Sequence, residues 1–495
     1  MGILDGARKA IRNFLEIREP SGLSVTVDQV YTHDAEVFRN RLWYRGQAEE
    51  LSDFYEQIDK EAGRKCFWSA RPTAGANIRK IHTGLPALIV DTLADVSVDD
   101  LDAIECERQF DWDEIADDNN FKQLVRDAVG DVLWSGDGAW KWSIDTEISQ
   151  YPIIEFFDAS RVDYDIERGR LVAVIFKTKK EFRGKEYVLK ERYSKDDITY
   201  KLCNADGKEV DMSAFEETAQ LVPVKIEGGF MMALPMMFRH DKKHAGRGKS
   251  VFDGKIDAFD SFDEVWSQWM LALRKGQIKT YIPDALLPRD MQTGMILRRN
   301  EFDNDFVATA SDMREGSENK ITHTQGEIQH EALVQTYCTA LDLCLQGILS
   351  PSTLGIDVKK MDNAEAQREK EKTTLYRRDQ IVNTLEELIP QIVNISLKVY
   401  DAMHGEAKPE QEVSVTFGGY ANPSFEAQIE TVAKASAAGI MSIEAQVEEL
   451  WGDSRDDDWK KEEVKRIKEE RGEVTMEEPA VNAEIGGVMD GIAEA

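Results

Sequence analysis

The stretch Gly246-Arg247-Gly248-Lys249-Ser250 carries the glycines, cations and hydroxyl with which a phosphate-binding loop wraps a nucleotide. Such a loop needs its first glycine at position 243, where this chain has Lys243, and no β-branched strand leads into the segment. A flexible link ahead of the next helix is the better reading. His240 and His244 stand four apart with Asp241 between them, a spacing that on a helix sets two imidazoles on one face for a metal. The glutamate of a zincin is missing, and the surrounding lysines and glycines suit a solvated loop. His323 and His330 have no third partner in sequence. Carboxylate neighbours such as Asp303 with Asp305, or Asp456-Asp457-Asp458, have the chemistry of general acids or cation ligands. With 93 acidic residues such neighbours arise by abundance, so a solvated face explains them more simply. We find no catalytic constellation and assign no cofactor and no metal.

The main basic cluster of this acidic chain is Lys359-Lys360 followed by Arg368, Lys370, Lys372, Arg377 and Arg378. Loop lysines can touch phosphates singly and release them easily. The later members fall in a helical pattern, where pairing with Glu365, Glu369 and Glu371 at i, i+4 accounts for them. Asp357 and Asp362 flank the two loop lysines and set net attraction there in doubt.

A net charge of −31 argues against a surface that grips nucleic acid all round, since that takes a basic face to release counterions. It leaves room for a conduit, which DNA crosses best where few groups hold it. The longest apolar runs, such as Phe230 to Phe238, fall short of the roughly 20 residues of a membrane span. Met1 to Ile17 reads as an amphipathic helix without the apolar core of a signal peptide. Five cysteines, Cys66, Cys106, Cys203, Cys338 and Cys344, show no metal-ligand spacing and suit a reducing cytoplasm.

The elements that must position these groups follow from periodicity. Apolar residues between Asp34 and Ile58 predict two short helices parted at Gly46; Ile78 to Leu93 predicts a helix broken or kinked by Pro86; Phe121 to Trp134 predicts a third. Alternation in Leu171 to Phe176, Tyr187 to Tyr193 and Ile198 to Leu202, with turn signals at Arg183-Gly184 and Asn204 to Gly207, predicts antiparallel hairpins. Helices over Ile256 to Ile278 and Gln329 to Ile348 flank an insertion of about fifty residues, too long for a plain loop. A loop follows Ser350-Pro351, then a helix of about forty residues with Pro390 inside its stripe, which predicts a kink. Short helices are predicted at Phe425 to Ala438, Ser442 to Trp451 and Asp457 to Arg471, and disorder from Pro479 to Ala495. The fold class is α+β.

This succession resembles the portal proteins of long-tailed bacteriophages over nearly the whole chain. Four stretches carry the resemblance: Ile78 to Ile89 (IRKIHTGLPALI), Val251 to Asp263 (VFDGKIDAFDSFD), Gly347 to Thr374 (GILSPSTLGIDVKKMDNAEAQREKEKTT), and Phe417 to Gly452 with its AAGIMS turn. The resemblance implies a portal fold with an α/β wing at 1–255, stem helices at 256–278 and 329–349, and a small α/β clip at 279–328. It further implies a tunnel loop at 350–362, a long kinked helix at 363–403 and a helical crown at 404–495. The loop comprises Ser350, Pro351, Ser352, Thr353, Leu354, Gly355, Ile356, Asp357, Val358, Lys359, Lys360, Met361 and Asp362, with Lys359 and Lys360 as phosphate contacts. The implied function is a ring of about twelve subunits at one capsid vertex, assembled in the host bacterial cytoplasm and then part of the virion. Double-stranded DNA is packaged and ejected through it. Implied partners are the large terminase, the head-tail adaptor, and the major capsid and scaffolding proteins, with no membrane. Hydrolysis of ATP belongs to the terminase, so no enzyme is expected; an ATPase or nuclease subunit of the packaging motor, suggested by GRGKS and the acidic clusters, and a cytoplasmic scaffold are the alternatives.

Overall fold

Thr32 accepts the amide of Ala35 on its hydroxyl and opens α1 (His33–Arg45), and Gly46 at φ 67° closes it in the left-handed turn that glycine adopts freely. With α2 (Ala48–Ala62), these are the two helices expected around Gly46. The computed structural model describes residues 32–63, 65–70, 78–182, 185–205, 207–226, 228–283, 286–287, 306–310, 320–355, 364–418, 425–438, 440–451 and 457–470. The helix expected at Met1 to Ile17, the Arg183-Gly184 turn and the Pro479 to Ala495 tail lie outside them.

Pro86 does not break a helix; it begins one. Residues 78–84 have no regular secondary structure, and α3 (Leu85–Val98) starts after Gly84 with proline in its first turn. An amide there has no helical acceptor anyway, so its loss is harmless and the fixed φ helps. β1 (Leu101–Cys106), α4 (Gln109–Asp118) and α5 (Phe121–Ser135) follow.

Two sheets complete this portion. β2 (Gly138–Ser143) lies between β3 (Ile153–Asp158) and β10 (Ala233–Met236), both antiparallel to it. The larger sheet runs β4 (Val162–Glu167), β5 (Arg170–Phe182), β6 (Lys185–Ser194), β7 (Asp197–Asn204), β8 (Glu209–Val210), with β9 (Val224–Lys225) also on β7. Ala173 opposite Ser194 and Leu202 opposite Val210 are registers of the two expected turns, whereas Tyr187 opposite Asn204 belongs to a hairpin turning at Lys195-Asp196, a turn not expected from the sequence. One continuous core joins helices and sheets, with Trp43, Trp68, Trp112, Trp140 and Trp142 among its fully buried side chains.

α6 (Ile256–Lys275) and α7 (His330–Leu345) pack antiparallel. Lys255 meets the carbonyl of Leu343, Phe262 and Trp266 meet Tyr337, and Trp269 meets His330. Between them, β11 (Lys279–Pro283) pairs in parallel with β12 (Phe306–Thr309) and antiparallel with β13 (Thr322–Thr324). α8 (Ala364–Met403) continues through Pro390. After it, β14 (Val413–Phe417) returns to pair antiparallel with β1.

The chain divides into two compact units, Met1–Gly418 and Gly419–Ala495. The second holds α9 (Phe425–Ala437), α10 (Ile443–Trp451) and α11 (Asp457–Glu470), within a residue of the expected bounds. The Trp451 and Trp459 rings, 5.8 Å apart, and the pair Lys460 with Glu448 at 3.1 Å tie α10 to α11. Among the described residues no helix is long and apolar enough to cross a membrane.

Candidate functional site

The segment that joins α7 to α8 starts buried. Ile348, Leu349 and Ser350 are covered, Ser350 being only 2% exposed. Its amide donates to the Thr374 hydroxyl at 2.8 Å, and Thr374 sits about three turns into α8. The backbone then turns tightly: the amides of Thr353, Leu354 and Gly355 donate to the carbonyls of Ser350, Pro351 and Ser352, and Gly355 takes φ 66°. The hydroxyls of Ser350 and Ser352 share a bond of 2.6 Å, and that of Thr353 lies 3.2 Å from Thr374 Oγ1. Ser350, Pro351, Ser352, Thr353, Leu354 and Gly355 are thus the fixed root of the loop. Ile356, Asp357, Val358, Lys359, Lys360, Met361 and Asp362 lie outside the described residues.

Two arginines of α8 complete this root. Arg377 Nε donates to the Gly347 carbonyl at 2.7 Å, and burial pushes its guanidinium pKa down. Arg378, buried, donates to the carbonyls of Val96 and Gly418 and to Asp100 Oδ2 at 2.8 Å. The sequence pattern gives both to pairing along their own helix. The structure uses them to join α3, the end of β14 and the loop root, contacts far off in sequence.

A second joint fastens α6 to the irregular chain before α3. Asp263, 1% exposed, accepts from the Thr83 amide and hydroxyl on one oxygen, and faces His82 Nδ1 at 2.7 Å and Trp68 Nε1 at 3.3 Å on the other. One turn earlier Asp260 accepts the amides of Phe67 and Trp68; one turn later Ser267 accepts that of Ile81. Burial raises the Asp260 pKa, and the two amides offset this in part. Residues of the stretches Ile78 to Ile89 and Val251 to Asp263 are therefore hydrogen-bonded to one another. A Cβ at Gly46 would also strike the His82 ring, so that glycine is required twice.

The phosphate-loop look-alike is fully engaged inside the protein. Arg247 reaches the buried Asp137 at 3.1 Å, donates to the carbonyls of Ala159 and Val162, and lies over the Tyr164 ring. The Gly248 amide donates to Asp137 Oδ2 at 2.7 Å, and Lys249 pairs with Asp253 at 3.0 Å. The segment is therefore a strut across the core rather than the flexible link expected. His240 and His244 share no helix: His240 is exposed and bridges Gly248 through its backbone, while His244 is half-buried beside Glu36. His323 accepts or donates to Thr280 Oγ1 across the small sheet, and His330 packs on Trp269. Asp303, Asp305 and Asp456 lie outside the described residues. Cys344 is buried among apolar groups, which push its thiol up to about 12, as suits a small hydrophobe.

No known family's model matches the chain, and no curated protein matches it. Among solved structures it is similar to a chain in the neck of a native GTA particle computed with C12 symmetry: 12% identity over 75% of this chain and 91% of that one, TM-score 0.36. It is similar to one in the virion of a native gene transfer agent particle at 15% identity over 78% and 96%, TM-score 0.36. The neck of the empty particle, computed with C6 symmetry, gives 13% over 77% and 95%, TM-score 0.38. At these identities and scores the likenesses carry no argument about what this chain does.

Proposed function

We propose that the chain is a portal protein: a subunit of a closed ring at one capsid vertex through which double-stranded DNA is packaged and ejected. The observation that carries this is the order and pairing of α6, the three-stranded insertion, α7, the anchored turn at 350–355 and the 40-residue α8. It is the order expected of stem, clip, stem, tunnel loop and long helix. On this reading the insertion presents a small independent sheet to the terminase and then to the head-tail adaptor. The loop beyond Gly355 faces the DNA from a fixed root, and the acidic surface of many copies keeps the polyanion sliding. A ring also needs two complementary faces on every subunit, and α6 and α7 carry the half-exposed Leu273 and exposed Leu343 beyond what their own packing covers.

The test is a projection image of the full chain, purified alone and co-expressed with its capsid proteins. Rings with a central hole are expected in at least the second preparation. Monomers or open filaments in both would overturn the reading. For the loop, Lys359→Ala with Lys360→Ala is expected to leave assembly intact and change the length or retention of packaged DNA; unchanged packaging removes the phosphate contact. The motor-enzyme alternative requires magnesium-dependent ATP hydrolysis that disappears in Lys249→Ala.

A further inference from the structure

Between α1 and the hairpin-like loop 240–248 three ligand-type side chains converge. Glu36 comes from the first turn of α1; Asp241 and His244 come from the loop, and their ligand atoms all lie within 4.8 Å of one another. His244 Nε2 is 3.4 Å from Glu36 Oε2, yet it is covered and makes no hydrogen bond with any described residue. Arg39 Nε and Asn40 Oδ1, whose residues line the adjoining cleft with Glu36 and Asp241, are likewise covered and unbonded. Of these, the His244 imidazole nitrogen is the one a cation can satisfy, and leaving it covered and unbonded costs about 1–3 kcal/mol.

The loop is built to hold these groups still. Asp241 N donates to Arg247 O, Arg247 N to His244 O, and Lys249 N to Arg239 O. Gly246 takes φ 79°, and Arg247 pins the loop to Asp137. Asp241 Oδ1 accepts the Lys243 amide at 2.9 Å, which fixes that carboxylate and leaves its other oxygen for a ligand. Lys243 gives its ammonium chiefly to Asp253 and reaches Glu36 Oε1 only at 3.8 Å, which leaves Glu36 Oε2, the oxygen facing His244, to a ligand. Two ligands each about 2.0–2.2 Å from a tetrahedral ion are about 3.3–3.6 Å apart. The His244 and Glu36 atoms are at that spacing now, and Asp241, within 4.8 Å of both, need close by no more than about 1.5 Å.

We propose that Glu36, Asp241 and His244 form a binding site for a divalent transition metal of the zinc class, with water as the remaining ligand. The ion would neutralise two facing carboxylates, give His244 Nε2 its missing partner and brace α1 against the segment that leads into α6. One imidazole with two carboxylates favours such an ion over magnesium or calcium, which take oxygen only.

The test is calorimetric titration of the full chain with Zn²⁺, and with Co²⁺ followed by absorption. One equivalent per chain is expected, with visible bands and no near-ultraviolet thiolate band. Glu36→Gln, Asp241→Asn and His244→Ala should each weaken binding at least tenfold, while His240→Ala, whose ring lies outside the cluster, should not. The metal should raise the unfolding temperature of the wild type and not of the three variants. Melting curves without metal identify any variant that misfolds, and Glu36→Gln, which keeps the side chain's size, then decides. No binding, a thiolate band from the free cysteines, or binding indifferent to the three substitutions overturns the proposal. Stability that depends on His244 with no metal bound would show an ion pair with Glu36 instead, and would overturn it equally.

Discussion

Two joints tie irregular chain to long helices in this molecule, and they are built from opposite chemistry. At the first, α6 supplies acceptors: Asp260, Asp263 and Ser267 take up backbone amides and side-chain donors from residues 67–68 and 81–83. At the second, α8 supplies mainly donors: Arg377 and Arg378 take up carbonyls from Gly347, Val96 and Gly418, with Thr374 as the shared acceptor. The first is sealed among Trp43, Trp68 and Phe259; the second is covered from Ile348 to Ser350 and at Thr374 and Arg378, but open at Gly347 and Arg377. A buried carboxylate stripped of its donors is very costly, so the first joint opens only when the fold does. At the second joint only the outer contact, between half-buried Arg377 and the carbonyl of exposed Gly347, can exchange with water cheaply. The second joint is therefore the cheaper of the two to open at its outer edge.

The largest effect expected from this contrast is at Asp263. Asp263→Ala orphans His82, Thr83 and Trp68 Nε1 together, and denaturant unfolding should show a loss of about 3–5 kcal/mol. A loss below about 1 kcal/mol would show that the joint is not closed in solution. Next is Arg378→Ala, which frees two carbonyls that water can reach in part; about 2 kcal/mol should be lost. Limited proteolysis should then cut between 350 and 362 faster, with the α6 joint untouched. Thr374→Val removes one acceptor from a covered amide and should cost about 1 kcal/mol by the same measurement, again with faster cleavage near the loop.

How much of this was legible follows from the range of the contacts involved. The helices and hairpins were, because i, i+4 stripes and alternation are written locally: α6, α7 and the three helices of the second unit fall close to their expected bounds. The β1–β14 pairing was not, because neither strand's sequence says what lies opposite, and Leu101 meets Phe417 from across the chain. Asp263 did leave a signal. It stands four residues from both Phe259 and Ser267, inside the buried stripe of α6, and an acid in such a stripe must find donors. Arg247 was misread for the converse reason: its glycine neighbours looked mobile, and only the fold brings Asp137 within reach.

The smallest effect is the one that separates the two joints most cleanly, because only the first contains a carboxyl whose pKa burial raises. Asp260 sits above its ordinary value of 3.8, so the folded chain holds that proton more tightly than the unfolded chain does. The stability this contributes is complete below pH 3.8 and disappears as pH rises through the raised value. The contact that Thr374→Val removes, the Ser350 amide on the Thr374 hydroxyl, involves no group that titrates in that range. Asp260→Asn should be less stable than the wild type throughout, since an amide nitrogen faces one of the two backbone donors. The gap between them should nonetheless narrow as pH rises above 3.8, whereas the gap between wild type and Thr374→Val should stay flat. Unfolding curves in steps from acid to neutral pH measure both. A constant Asp260 gap would mean that water reaches that carboxylate, and that the α6 joint is as open as the root of the loop.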